Sequence, residues 1–171
     1  MAWFECAVGS GGGGGISGFT TVPERYNSDP LTITGSTYEG GYEPWKAFDF
    51  GSATYWRAGR NDSAPWIKTD LGESKDIIAV RLVTYNDVQT SQSNTWNGPL
   101  YIEGSNDDET WFNIVPSGAY IDHTAYYNYL SEALYKLNGS CRYIRIRGVQ
   151  NFTVWGGPSC WFSDIMFFAA E

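Results

Sequence analysis

From Phe19 onward the chain is a succession of short β-branched and aromatic runs, each stopped by Gly, Pro, Asn or Asp, and this pattern most constrains its fold. Ile77 to Tyr85 is apolar with partial alternation. Leu100 to Ser105 follows an Asn-Gly-Pro turn, and Trp111 to Val115 comes next. Arg142 to Arg147 alternates strictly, which places Ile144 and Ile146 on one face, and Trp161 to Phe168 closes the body. A period of two between turn formers marks half-buried strands. Only Tyr126 to Leu137 has a pattern that could pass for a helix. Many short strands without strand–helix–strand alternation point to an all-β sandwich or barrel.

Composition removes other classes. Aromatic residues make up 17% of the chain and charged residues only 18%, the opposite of a disordered polymer. A net charge of −8 argues against attraction to nucleic-acid phosphates or anionic membranes, so neither partner is expected. No apolar run approaches the roughly 18 residues of a spanning helix. Ahead of the body, residues 9–18 form a glycine-rich tether and residues 1–8 a short head carrying Trp3 and Phe4, leaving 19–171 as one domain. The head has neither a basic region nor a long apolar one, so no secretory signal is expected. Cys6, Cys141 and Cys160 cannot all pair within one chain and lack metal-ligand spacing. Reduced thiols are expected, and the sequons at Asn61, Asn138 and Asn151 then carry no meaning. If strands 142–147 and 161–168 pair as a hairpin, Cys141 and Cys160 lie at opposite ends, beyond disulfide reach.

Four segments carry a resemblance. They are Pro44 to Trp56, Pro65 to Gly72 (Pro-Trp-Ile-Lys-Thr-Asp-Leu-Gly), Leu100 to Trp111, and Cys141 to Arg147 followed by Phe162 to Ile165. In order and spacing this resembles the discoidin, or coagulation-factor V/VIII type C, domains, including carbohydrate-binding module family 32. The resemblance covers about Ser36 to Ala169 and implies a jelly-roll β-sandwich of the galactose-binding type without enzymatic activity of its own. In it, Trp66, Ile67 and Leu71 look like core packing, Asp70 to Gly72 makes a turn, and Trp111 covers the sandwich edge.

The resemblance also implies a structural calcium ion. Asp49 and Thr54 match the family's cation loop, with carbonyls from Lys46 or Ala47 and Gly51 or Ser52, and Asp164 stands where the family usually has Glu. Oxygen donors on a tight turn suit a hard cation. For a ligand, sugars need ring platforms and fixed hydrogen-bonding groups. Candidate contacts are Tyr42 (with Tyr38 nearby), Arg57, Arg60, Trp96, Asn97 and Trp155. Asn97-Gly98 matches the family's galactose binders, whereas Arg57 stands where they carry His. The galactose set is therefore broken. The only histidine, His123, has no catalytic partner at a recognisable spacing, and paired carboxylates for glycoside hydrolysis could be drawn from Asp62, Asp87 or Glu39, though a cleft deep enough for that chemistry is not expected in so small a sandwich.

The expected function is non-catalytic glycan binding, to a bacterial surface or mucin. The Met1 to Cys6 start and glycine tract also resemble the N-termini of phage and prophage structural proteins. That implies multi-copy display on a virion surface, capsid or tail, anchored to other virion subunits through residues 1–8 and released by lysis. Two alternatives stand: a purely structural decoration or interaction subunit, and a carbohydrate-binding module of a secreted glycosidase.

Overall fold

The computed structural model describes residues 19–22, 32–49, 54–59, 62–85, 96–116, 118, 120–125, 130–148 and 161–170. Among these lie ten strands: β1 (Phe19–Val22), β2 (Ile33–Gly35), β3 (Trp56–Arg57), β4 (Trp66–Tyr85), β5 (Trp96–Ser105), β6 (Phe112–Asn113), β7 (Ile121–Ala125), β8 (Leu130–Gly148), β9 (Trp161–Phe162) and β10 (Asp164–Ala170). One 3-10 turn spans Pro44–Ala47. The main sheet runs β1-β10-β4-β8-β5-β6, with β2 also on β4 and β7 also on β5, while β3 and β9 form a separate ribbon. Every pairing is antiparallel. The all-β class read from the strand pattern is the one observed.

Two long strands organise the core. β4 and β8 pair along most of their length, with register shifts between Asp70 and Lys75 and between Ile77 and Ala79. At the first shift Gly72 adopts φ 78°, and its N–H donates to Asp70 Oδ1 at 2.8 Å. The expected Asp70–Gly72 turn is thus a kink inside one strand. The half of β4 before it pairs with β2, and the half after it with β10. Inward residues of both halves, Ile67, Ile144 and Ile146 with Val80, Leu82, Ile165 and Phe167, belong to one buried cluster. Bulges of this kind bend a sheet so that it can close over its own core.

Glycine is required where β5 and β8 approach the 112–115 segment. A Cβ on Gly139 would lie 2.2 Å from Ile114 Cγ2, and one on Gly104 would lie 2.9 Å from Cys141 Sγ.

Three expectations are corrected. The helix-like stretch is strand from Leu130 onward, because pairing of β8 with β4 supplies its backbone hydrogen bonds, and tertiary pairing outweighs weak local propensity. Strands 142–147 and 161–168 are not hairpin neighbours, since β4 lies between β8 and β10, so the distance argument for Cys141 and Cys160 lapses. Trp66 is half-buried on the outer face, since a period of two cannot turn both Trp66 and Ile67 inward. Cys141 is buried and free, and burial pushes its thiol up to about 11. Cys6 and Cys160 lie outside the described residues, as do the head and tether.

Candidate ligand site at the loop end

Trp56 sets the geometry. It is fully buried, stacks nearly parallel on Phe162 at 6.1 Å, and donates its indole N–H to the Thr37 carbonyl at 3.3 Å. With Trp56 pointing inward, alternation turns Tyr55 and Arg57 the other way. They meet the 38–42 turn, where Tyr42 N–H donates to the Glu39 carbonyl at 2.9 Å. Gly41 at φ 89° supplies the left-handed position this turn needs. The turn is strapped to β3 on both sides: Glu39 N–H donates to the Arg57 carbonyl and Arg57 N–H to the Tyr42 carbonyl, at 3.3 and 3.4 Å.

The result is a compact aromatic and cationic cluster. Tyr42 and Tyr55 stack with centroids 4.7 Å apart, and the Arg57 guanidinium lies over the Tyr42 ring at 4.3 Å. Arg57 also forms an ion pair with Glu39. Its Nε–H is buried without a hydrogen-bond partner among the described residues, a polar group whose burial calls for a reason. Tyr38 stands beside the cluster, 52% exposed.

Asp62 braces the floor of this region. It accepts from the Ser36 hydroxyl, from Thr37 Oγ1 at 2.7 Å and from Ala64 N–H at 3.0 Å. Ser36 Oγ in turn accepts from Trp66 N–H, and Thr37 Oγ1 from Gly59 N–H, each at 3.0 Å. Of the carboxylates considered for hydrolysis, Asp62 is therefore occupied in holding loops and Glu39 in holding Arg57, while Asp87 lies outside the described residues.

Among the expected contacts, Tyr42 and Arg57 come together. Trp96 and Asn97 open β5, where their backbone pairs with Ala125 and Thr124 of β7. Arg60 and Trp155 lie outside the described residues. Tyr55 and Glu39 were not singled out as contacts by sequence reasoning. The signal for Tyr55 was present: neighbours on either side of a buried strand Trp share the opposite face.

The cation loop is partly described. Thr54 Oγ1 donates to Asp49 Oδ2 at 2.6 Å, so these two oxygens are adjacent. Lys46, in the 3-10 turn, sets its ammonium on the Gly41 carbonyl, 2.6 Å away, and Gly51 lies outside the described residues. Asp164 accepts from Arg81 Nη1 at 2.7 Å, so its charge is already met by a guanidinium. Among the described residues no group of three or more His, Cys, Asp or Glu side chains is placed to hold a metal ion, and the Asp49–Thr54 pair is the described part of the expected cation loop.

A bent antiparallel sheet closes over one core and gathers rings and a guanidinium on its loops, the build of a small all-β domain. The chain belongs to the F5/8 type C domain family, which matches residues 32–163. Its fold is that of family 32 carbohydrate-binding modules. The module of AlyQ, in complex with 4,5-unsaturated mannuronic acid, is similar with a TM-score of 0.59 and 22% identity, over 80% of this chain and 93% of that one. The family 32 module of NanJ from C. perfringens, in complex with galactose, gives 0.57 and 16%, over 80% and 92%. CpGH89CBM32-5 from Clostridium perfringens, in complex with GalNAc-β-1,3-galactose, gives 0.61 and 14%, over 80% and 94%. No curated protein matches the sequence.

Proposed function

We propose that the chain is a non-catalytic glycan-binding module whose sugar contact is built around Tyr42, Tyr55 and Arg57. The observation that carries this reading is the Arg57 guanidinium held between the Tyr42 ring and Glu39 on the loops beside β3. Pyranoses present a weakly apolar C–H face edged by hydroxyls, and a ring with a fixed donor beside it meets both. The glycan-bound neighbours of the same fold support the ligand class. With Arg57 where galactose binders carry His, the sugar is not expected to be plain terminal galactose. Arg60, Trp96, Asn97 and Trp155 complete the contact set. A printed array of bacterial-surface and mucin-type glycans probed with the full chain should retain it on a restricted subset. Absence of signal from protein with a cooperative melt overturns the reading.

The module is displayed on a phage capsid or tail, with residues 1–8 as anchor to other virion subunits and residues 9–18 as tether. The tether and the Trp3–Phe4 head support this. Many copies on one particle would turn weak single-site binding into useful avidity.

Calcium belongs to the same proposal: Asp49 and Thr54, with the carbonyls of Lys46 and Gly51, would hold the ion and stiffen the loop leading to β3. At about one hundred times its Kd, an ion bound only by the native state stabilises by about 2.7 kcal/mol. Millimolar calcium is therefore expected to raise the melting midpoint by about 5 °C over a chelated sample. Asp49→Ala should abolish the difference, and identical midpoints for the wild type with and without chelator would remove the ion from the account.

A further inference from the structure

The folded body has two poles, and the chain uses them differently. Trp56 ties together the outer ends of both halves of β4. On one side its indole donates to the Thr37 carbonyl, beside Ser36, whose N–H donates at 2.9 Å to the Trp66 carbonyl where β4 begins. On the other side it stacks on Phe162, and the adjacent Ser163 N–H donates at 2.8 Å to the Val83 carbonyl near the end of β4. β4 therefore leaves the Trp56 end, kinks at Gly72 and returns. The kink marks the opposite pole.

The body's own ends lie at that opposite pole. β10 starts with Asp164 against Val83 and runs until Ala169 faces Ile77, just past the kink. Ile77 in turn faces Gly139 of β8. β1 pairs with β10 so that Phe19, where the body begins, faces Ala170, the last residue of β10. At about 3.3 Å per residue, the seven residues of β10 span roughly 20 Å. Arg57, by contrast, pairs with Trp161, before β10 begins. β2 runs the same way: Ile33 faces Thr69 and Gly35 faces Ile67, which carries the chain from the kink side up to the 38–42 turn. The Tyr42–Tyr55–Arg57 cluster and the neighbouring ends of the body are thus held apart by the length of β10.

We propose that the two poles divide the work: the loop pole meets sugar, and the kink pole is the attachment end. The module then presents its site end-on and binds in trans, to glycans on a surface opposite whatever is joined to Phe19 or Ala170. This division rests on the loop cluster being the sugar contact. It applies equally to a virion and to an enzyme as carrier, since either joins the body through the same pair of neighbouring ends. Adjacent ends at one surface are also the arrangement that tolerates fusion to another chain. Copies held side by side would all aim their sites outward, and avidity requires such simultaneous engagement. Exposure of the site then needs no spacer between the body and its carrier.

The test removes the spacer. Green fluorescent protein is fused to the full chain directly after Glu171 and, in a second variant, inserted between Gly18 and Phe19. Both are compared with the unfused chain on the printed array of bacterial-surface and mucin-type glycans. Each fusion should keep the same glycans, with half-saturation within about threefold of the unfused chain and an unchanged melting midpoint for the module. Arg57→Ala in either fusion should remove the signal. If the unfused chain binds while either fusion with an intact melt loses about tenfold or more, the end-on arrangement is overturned and the loop site still stands. Should one fusion fail to melt cooperatively, the other decides. An unfused chain that binds no glycan overturns both readings, and so does fusion signal that survives Arg57→Ala, because the sugar would then sit elsewhere.

Discussion

Trp56→Ala is expected to lower stability by about 3–5 kcal/mol, the range for deleting a fully buried large ring. Three losses coincide. The indole leaves a void in a site with no solvent exposure, its stacking partner Phe162 loses one face, and the Thr37 carbonyl loses its donor. The ribbon of β3 and β9 is only two residue pairs long, so little else holds it in register. At roughly 2–4 °C per kcal/mol for a domain of this size, the melting midpoint should fall by about 6–20 °C. Trp56→Phe keeps a ring but abandons the hydrogen bond, and should cost about 1–2 kcal/mol. A Trp56→Ala midpoint within about 2 °C of wild type, followed by circular dichroism, would show that the ribbon does not depend on this ring. Because the same ring turns Tyr55 and Arg57 outward, glycan binding should disappear with it.

Arg57→Ala separates binding from folding. Its ion pair with Glu39 lies near the surface, the two side chains being 16% and 22% exposed, so its removal should change stability by no more than about 1 kcal/mol. Binding should suffer far more. The guanidinium stacks on Tyr42 and pairs with Glu39, which fixes its donors beside the rings where a ligand oxygen would meet them. A hydrogen bond to a charged group contributes about 1.5–3 kcal/mol, and the loss should weaken glycan binding by about tenfold to a hundredfold. Arg57→Lys should rescue little, because an ammonium neither stacks flat on a ring nor presents a fixed fork. Titration calorimetry against the strongest array ligand reads the difference. Wild-type affinity in Arg57→Ala would take the cluster out of the contact.

Much of the fold was legible because the strands obey local rules. Strict alternation from Arg142 to Arg147 put Ile144 and Ile146 inside, at 1% and 2% exposure. The lengths of β4 and β8 were not legible: each is one long strand carried through a kink, and only cross-strand pairing shows that Gly72 bends a strand without ending it. Leu130 to Leu137 was ambiguous for the same reason, since its partner lies some fifty residues away.

At the loop end, the chain pointed to Arg57 and Tyr42 because each sits in a segment rich in donors or rings. It did not show that they touch, nor that Glu39 and Tyr55 complete the cluster, because those contacts depend on how one turn is strapped to β3. Arg145 and Arg147 were visible only as polar positions of an alternating strand. That both share the single carboxylate of Glu103 emerges only when register sets the three side by side.

The central claim is that sugar is held at the loop end beside β3. Chemical-shift mapping of the labelled chain, titrated with the strongest array ligand, tests it most directly. The account predicts saturable shifts at Glu39, Tyr42, Tyr55 and Arg57, extending to Trp96 and Asn97, with the interior strands unmoved. Saturable shifts confined to another surface, with these residues silent, would contradict it.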